Sequence, residues 1–234
     1  MGSQIAVPAR RGVAIGRMRL FWQSTIGKKI VMAATGLIMV AFVIVHMLGN
    51  LQIFEGAARL NAYSAFLHHT INELLWLARV ILLVSVVLHI VGAIQLTRID
   101  RAARPVGYAR KERQAATVAS STMRWGGLAL ALFIVFHILH ITTGTIRPSP
   151  FTAGDVYGNL VGTFQIWWVT LIYVVAMIAL GLHIYHGTWS SIRTLGLNRP
   201  SANPFRRRAA TLIAAVVWAG FSLVPLAIYF GWVR

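Results

Sequence analysis

This chain of 234 residues is 57% hydrophobic and only 12% charged, which is about half the charged fraction of an ordinary soluble domain. Such a composition excludes a soluble globular protein and indicates an integral membrane protein. Because the chain has no cysteine, it cannot hold iron–sulfur clusters on thiolates, attach a c-type haem or form disulfides.

The formal charge of +17 arises from 22 Lys and Arg against 5 Asp and Glu. A chain this basic suggests nucleic acid as a partner, but the distribution of charge argues for a membrane. Basic residues concentrate in three polar segments, 10–29, 98–124 and 193–208, and the segments between them carry few. By the positive-inside rule the basic segments are cytoplasmic. We therefore expect anionic lipid and an acidic-faced cytoplasmic subunit as partners, and no nucleic acid.

Five apolar stretches are each long enough to supply the ~20 residues that cross the hydrocarbon of a bilayer. The predicted fold is an all-α bundle of five transmembrane helices, at about 30–53, 74–97, 124–146, 165–189 and 209–232. Residues 1–29 are expected to form a cytoplasmic basic segment without a cleaved signal peptide, and 30–234 a single transmembrane domain. An odd number of crossings places the C-terminus outside. The predicted location is the cell membrane, inner or plasma.

The connections carry weaker signals. Segment 54–73 has apolar residues at helical spacing and predicts a short interfacial helix, whereas 147–164 is rich in Gly, Pro and Thr and predicts an external loop. Pro200 and Pro204 predict that the last inner loop extends up to the fifth span, and Pro225 predicts a kink within that span.

One histidine lies deep in each of the first four spans. At a helical rise of about 1.5 Å per residue, His46 and His137 lie about 24 and 20 Å from the inner edge, and His89 and His183 about 12 and 9 Å. Depth therefore pairs His46 with His137 and His89 with His183. Two pairs of facing imidazoles are the axial ligands that two b haems need. We expect two similar hairpins that clamp two flat cofactors, with the fifth span as a bystander.

Other interpretations of these histidines must be weighed. A single intramembrane histidine is as often a hydrogen-bonding residue between helices. A zinc site needs about four ligands at one depth, usually with cysteine or carboxylate, and the predicted spans contain no acid. His140 and His186 each follow a predicted ligand by three residues and share its helix face, so depth does not choose within either pair. We expect these two to contact a haem propionate or water.

Several short motifs occur in a fixed order along the chain. They are Lys28-Lys29 followed by Gly36, Val45-His46-Met47-Leu48-Gly49-Asn50, Leu88-His89-Ile90-Val91-Gly92, Arg124 thirteen residues before His137, and His183-Ile184-Tyr185-His186-Gly187-Thr188-Trp189-Ser190. The set resembles the single-chain, five-helix, dihaem cytochrome b membrane anchor of succinate dehydrogenase and fumarate reductase, of the menaquinone type, over nearly the whole chain. The resemblance implies one haem ligand in each of the first four helices, and it points to His137 and His183 rather than to their neighbours.

The resemblance also implies a function. Such an anchor binds a flavoprotein and an iron–sulfur subunit at the cytoplasmic face and passes electrons through an inner and an outer haem to menaquinone or another quinone. By itself the chain would not oxidise succinate, because it has no flavin fingerprint, no cluster ligands and no buried acid–base pair. Ser24 and Lys28 are candidates for an inner quinone site, although Lys28 also fits a positive-inside anchor. An outer quinone site near His46 and Asn50 competes with it.

Two other classes of function fit the sequence. A dihaem anchor of a formate dehydrogenase, hydrogenase or nitrate reductase would keep the haem ligation and change the partner. A haem-free transporter or anchor subunit would use the histidines as a proton relay or not at all, and it would show no Soret absorbance.

Overall fold

The computed structural model describes residues 10–103, 118–196 and 203–234, and all regular structure within these segments is helical. This confirms the predicted all-α class. The α-helices in chain order are α1 Arg10–Gln23, α2 Thr25–Leu51, α3 Ala57–Ala65, α4 Asn72–Ala102, α5 Val118–His137, α6 Val156–Phe164, α7 Trp167–Thr194 and α8 Asn203–Tyr229.

Five of the described helices are long and apolar enough to cross a membrane, as the sequence predicts. They are Thr25–Glu55, Asn72–Ala102, Val118–Thr142, Trp167–Thr194 and Pro204–Tyr229. The first is α2 with a 3₁₀ turn after it, and the third is α5 with a π-helical turn, Ile138–Thr142, after it. Many large apolar side chains of these helices are exposed, for example Leu83 and Val45 at 65% and 60%. A lipid environment would cover them.

Some helices extend past the predicted spans, because helical hydrogen bonding continues from the apolar stretches into the polar turns. α4 reaches Ala102 rather than residue 97, and α8 begins at Asn203 rather than 209. Pro204 therefore opens a helix instead of ending a loop, since the first helical turn does not need its missing N–H. α8 also continues through Pro225. Pro200 lies outside the described residues.

Two further differences concern the short helices. The expected cytoplasmic tail contains α1, and the expected loop 147–164 contains α6 in its second half. α6 begins where the Asp155 side chain accepts a hydrogen bond from the Gly158 N–H at 3.0 Å, which is an N-cap. The short helix expected within 54–73 is confirmed as α3.

The helix directions define two ends of the bundle. The basic end holds α1, the start of α2, the end of α4, the start of α5, the end of α7 and the start of α8, and the described parts of the three basic segments converge there. The opposite end, which α3 and α6 cover, is the capped end. The largest buried apolar cluster lies at the capped end and includes Ile53, Leu60, Phe164, Tyr173 and Ile228.

The bundle contains two helix hairpins that meet through one helix of each. α4 packs on α2, and α5 packs on α7, while α2 and α7 also meet each other. Within the described residues, α5 makes no comparably extensive contact with α2, nor α4 with α7. The fifth span is no bystander, because α8 packs extensively on α7 and also on α2. Its Phe221 ring lies 5.7 Å from the ring of His46, between centroids.

We predict that Gly181→Val loosens the α7–α8 contact. A Cβ at Gly181 would lie 3.3 Å from Cβ of Trp218 and 3.7 Å from the carbonyl oxygen of Ala214, so the two backbones would have to separate. Overpacking of this kind lowers stability by about 1–3 kcal/mol, which thermal unfolding in detergent would show. Gly187→Val in the same helix is the control, because a Cβ there meets no atom within 4 Å. An equal loss in both variants would contradict the packing argument.

A second prediction concerns pH and the capped end. Hydrogen bonds from the Gly158 N–H and the Asn61 amide hold the pKa of the Asp155 carboxyl below its usual value. Because the folded pKa is the lower one, Asp155 stabilises the fold above its unfolded pKa, and this stabilisation is lost as the pH falls through the folded pKa. Asp155→Ala should therefore be less stable than the wild type near neutral pH and equally stable in strong acid. Unfolding temperatures across pH test this, with the exposed Glu73 changed to Ala as the control. A deficit that does not depend on pH would contradict it.

Candidate functional site

The structure brings together both predicted pairs of histidines. His46 of α2 and His137, the last residue of α5, lie with their ring centroids 5.9 Å apart. His89 of α4 and His183 of α7 lie 6.1 Å apart. The first pair is nearer the capped end and the second nearer the basic end. Each pair joins a helix of one hairpin to a helix of the other.

These separations are those of two imidazoles that share one metal ion. A metal–nitrogen bond of about 2 Å on each side, added to the ring radii, places the centroids about 6 Å apart. Direct ring packing has a similar range, about 4.5–7 Å, so the distance alone fits both arrangements. The hydrogen bonds of the rings show which ring nitrogens would be free to bind a metal.

His89 is held in the orientation of a metal ligand. Its Nδ1 lies 3.0 Å from the carbonyl oxygen of Met32 and 3.4 Å from Oγ1 of Thr35. A carbonyl only accepts, so Nδ1 carries the proton and Nε2 keeps its lone pair. Histidines that bind metals are usually fixed in this way, by a carbonyl on the second ring nitrogen. Gly36 permits the approach, because a Cβ there would lie 3.3 Å from Cε1 of His89.

His137 is held by a chain of hydrogen bonds. Its Nδ1 lies 3.3 Å from Oη of Tyr173, which lies 2.9 Å from Nδ1 of His140, and Nε2 of His140 lies 2.8 Å from Oγ1 of Thr163. Two assignments of protons satisfy the chain. In one, His137 Nδ1 donates to Tyr173, Tyr173 to His140, and His140 Nε2 to Thr163; in the other, every direction is reversed. The first leaves Nε2 of the predicted ligand with its lone pair.

His140 has other partners than those we expected. Its side chain is fully buried, and both ring nitrogens are bonded to protein, which leaves neither for a propionate or for metal. The π-helical turn Ile138–Thr142 carries it, and such turns are frequent at functional sites. His186 is half-buried on the face of α7 that carries His183. Its contact with a propionate stays a prediction.

The pair near the basic end also borders empty space. Nδ1 of His183 is buried and has no hydrogen-bond partner in the described part of the chain. A cavity of about 70 Å³ lies between α5 and α7, lined by Ala119, Thr122, Met123, Gly126, Ala179, Leu182 and His183. A Cβ at Gly127 would lie 3.7 Å from the ring of His183. Small residues thus leave room beside this imidazole.

The donor set suits a haem better than zinc. In the described segments no group of three or more His, Cys, Asp or Glu side chains could share a metal ion. Zinc needs about four ligands, whereas a six-coordinate haem takes two from the protein and four from its own ring. Each pair of imidazoles supplies that number of ligands, and the tautomer of His89 leaves its Nε2 free to bind.

Ser24 and Lys28 join α1 to α2. Oγ of Ser24 accepts from the Gly27 N–H at 2.9 Å and donates to the carbonyl oxygen of Phe21. Nζ of Lys28 is buried and donates to the carbonyl oxygens of Trp22 and Gln23, at 2.8 and 2.9 Å, where α1 ends. These bonds stabilise a helix C-terminus. A role of either residue in quinone binding stays a prediction.

Tyr173, Thr163 and Arg147 are site residues that the sequence did not reveal. Tyr173 lies in an apolar span and Thr163 in a segment that we expected to be a loop, so neither carried a recognisable signal. The nearest signal was the repeated His-x-x-His spacing, which left the partners of His140 open.

We predict that Tyr173→Phe destabilises the bundle while preserving its shape. The change removes only Oη and leaves Nδ1 of both His137 and His140 without a partner, and each buried unpaired group lowers stability by about 1–3 kcal/mol. Thermal unfolding of the purified protein in detergent measures the loss. Tyr185→Phe is the control, because it removes the same atom from the same helix outside this chain of hydrogen bonds. Equal stabilities of the two variants would contradict the assignment.

Comparisons with models of protein families, with curated proteins and with solved structures found no match to this chain. Any function assigned to it rests on its own residues and their geometry.

Proposed function

We propose that this chain is the membrane-anchor cytochrome b subunit of a succinate:quinone oxidoreductase. In this proposal His46 and His137 bind one b haem, and His89 and His183 bind the other. The observation that supports it most directly is the pair of cross-hairpin histidine contacts at two levels, 5.9 and 6.1 Å between ring centroids. Each haem would supply a one-electron carrier inside the membrane.

The chain's own residues would have three tasks. His89 would present a fixed Nε2 lone pair, because the carbonyl oxygen of Met32 accepts its Nδ1 proton, and His137 would do the same when its Nδ1 donates to Tyr173. The second histidine of each pair would also bind the haem iron, which suits the haem for electron transfer. Apolar helices around the pairs exclude water, and burial is one of the factors that set a haem potential.

In this proposal the basic end of the bundle is the cytoplasmic face at which the partner subunits bind. Positive residues concentrate in cytoplasmic segments of membrane proteins. At this end the guanidinium carbons of Arg193 and Arg207 both lie over the ring of Trp189, at 4.8 and 4.9 Å from its centroid. We expect the flavoprotein and iron–sulfur subunits of succinate dehydrogenase to bind there, with lipid around the helices, quinone as the electron acceptor and the cell membrane as the location.

The test is a reduced-minus-oxidised spectrum with haem quantification on the purified chain. We expect two b haems in the wild type. His46→Ala or His137→Ala should lose the haem nearer the capped end, and His89→Ala or His183→Ala should lose the other. His69→Ala, an exposed histidine outside both pairs, should keep both.

Three outcomes of this test would contradict parts of the proposal. Absence of haem from the wild type removes the electron-transfer role. Loss of a haem in His140→Gln with retention of both in His137→Ala reverses the ligand assignment. The third outcome is that succinate and its dehydrogenase subunits do not reduce the haems, while formate, hydrogen or a nitrate reductase partner exchanges electrons with them. This result would identify a different dihaem anchor.

A further inference from the structure

Arg147 is a partly buried cation without a carboxylate partner among the described residues. It follows the third span, and its Nη2 donates to Oγ of Ser149 at 3.1 Å and to the carbonyl oxygen of Asn159 at 2.8 Å. Its Nε and Nη1 are buried and have no partner in the described residues. Of the five N–H groups of a guanidinium, three are therefore unused. Buried and unpaired charged donors are costly, so such a group normally has an acidic partner.

The charge of Arg147 has no carboxylate to neutralise it within the described segments. Phe151 covers one side, with the guanidinium carbon 5.3 Å from the ring centroid. Burial lowers the pKa of Arg147 from its usual value, and the nearby Tyr173 opposes that effect. The backbone and the Ser149 hydroxyl orient the guanidinium, but neither supplies negative charge.

Arg147 lies between the His46–His137 pair and the capped end. Its charge acts on both His140 and Tyr173, the residues that hold His137. The backbone oxygen that binds its Nη2 belongs to α6, which covers this end. The three unused N–H groups are thus close to the chain of hydrogen bonds that ends at the predicted haem ligand.

Three other residues of the described segments have a buried polar atom without a hydrogen-bond partner and, like Arg147, lie toward one end of the bundle from a histidine pair. Gln52 lies six residues beyond His46 toward the capped end, while Gln95 and Trp189 lie six residues beyond His89 and His183 toward the basic end. Six residues of helix span about 9 Å. Gln52, Gln95 and Trp189 thus lie closer to the nearer end of the bundle than the histidine of their own helix. A cofactor with polar substituents on one edge, turned toward that end, would satisfy them.

We propose that Arg147 binds a carboxylate substituent of the cofactor held between His46 and His137, which for a b haem is a propionate. The inference rests on the proposed function and assigns to Arg147 the contact that we expected of His140. A carboxylate accepts two parallel N–H bonds from a guanidinium. It would neutralise the buried charge, and the positive charge of Arg147 would in turn stabilise the reduced, more negative state of the haem.

The experiment is a potentiometric titration of the purified protein, wild type and variants, followed by haem absorbance. His46→Ala, which should retain only the haem nearer the basic end, identifies the two components. Arg147→Gln should shift the potential of the capped-end haem to more negative values, make it more pH-dependent and leave the other haem unchanged. Arg147→Lys, which keeps the charge but loses the fork of donors, should shift it less. Arg59→Gln is the control, because this exposed arginine at the same end already pairs with Glu55 at 3.3 Å.

The outcomes separate this inference from the proposed function. A wild type without haem overturns both. Two haems with the same potentials in the wild type, Arg147→Gln and Arg147→Lys overturn the role of Arg147 alone. Unchanged potentials with loss of quinone reduction would instead make Arg147 a quinone ligand, which also overturns it. If Arg147→Gln does not assemble, Arg147→Lys decides: a negative shift confined to the capped-end haem supports the contact, and no shift contradicts it.

Discussion

The structure depends on how an apolar bundle accommodates imidazole rings. A histidine side chain has two polar ring nitrogens, and hydrocarbon offers neither of them a partner. Here Met32 satisfies one nitrogen of His89 and Tyr173 one nitrogen of His137, and the ring of a second histidine lies 6.1 and 5.9 Å away, between centroids. This arrangement places the two helix hairpins opposite each other, and it leaves Nε2 of His89 with a lone pair for a metal.

Small residues make this accommodation possible. Gly36 and Gly127 lie against the rings of His89 and His183, and Gly181 lets α7 approach α8 closely. Because α8 packs on both α7 and α2, the fifth span holds the two hairpins in register. His140 and Thr163 extend the polar contacts of Tyr173 from the bundle into α6. The helix that covers the capped end is therefore connected to the proposed ligand His137 by side-chain hydrogen bonds.

Most of the fold could be predicted from the sequence, because hydrocarbon thickness fixes the length of a spanning helix and charge marks the basic end. Helical rise and the alternating directions of the spans paired the deep histidines, and the family resemblance favoured His137 and His183 over their neighbours. Other features could not be predicted. Pro204 starts a helix because the first turn does not need its missing N–H, and Asp155 starts one because its carboxylate accepts the Gly158 N–H, although the polar composition of both segments is typical of loops. The partners of His140 and the unused donors of Arg147 depend on residues far away in the chain, and a single sequence does not reveal such contacts.

The measurement that tests the central claim most directly is the molar ratio of protohaem to protein in the purified chain, combined with electron paramagnetic resonance of the oxidised form. We expect two haems per chain, both low-spin with two imidazole ligands, because each histidine pair supplies both axial positions. A ratio of zero, or a high-spin haem with an open axial position, would contradict the account.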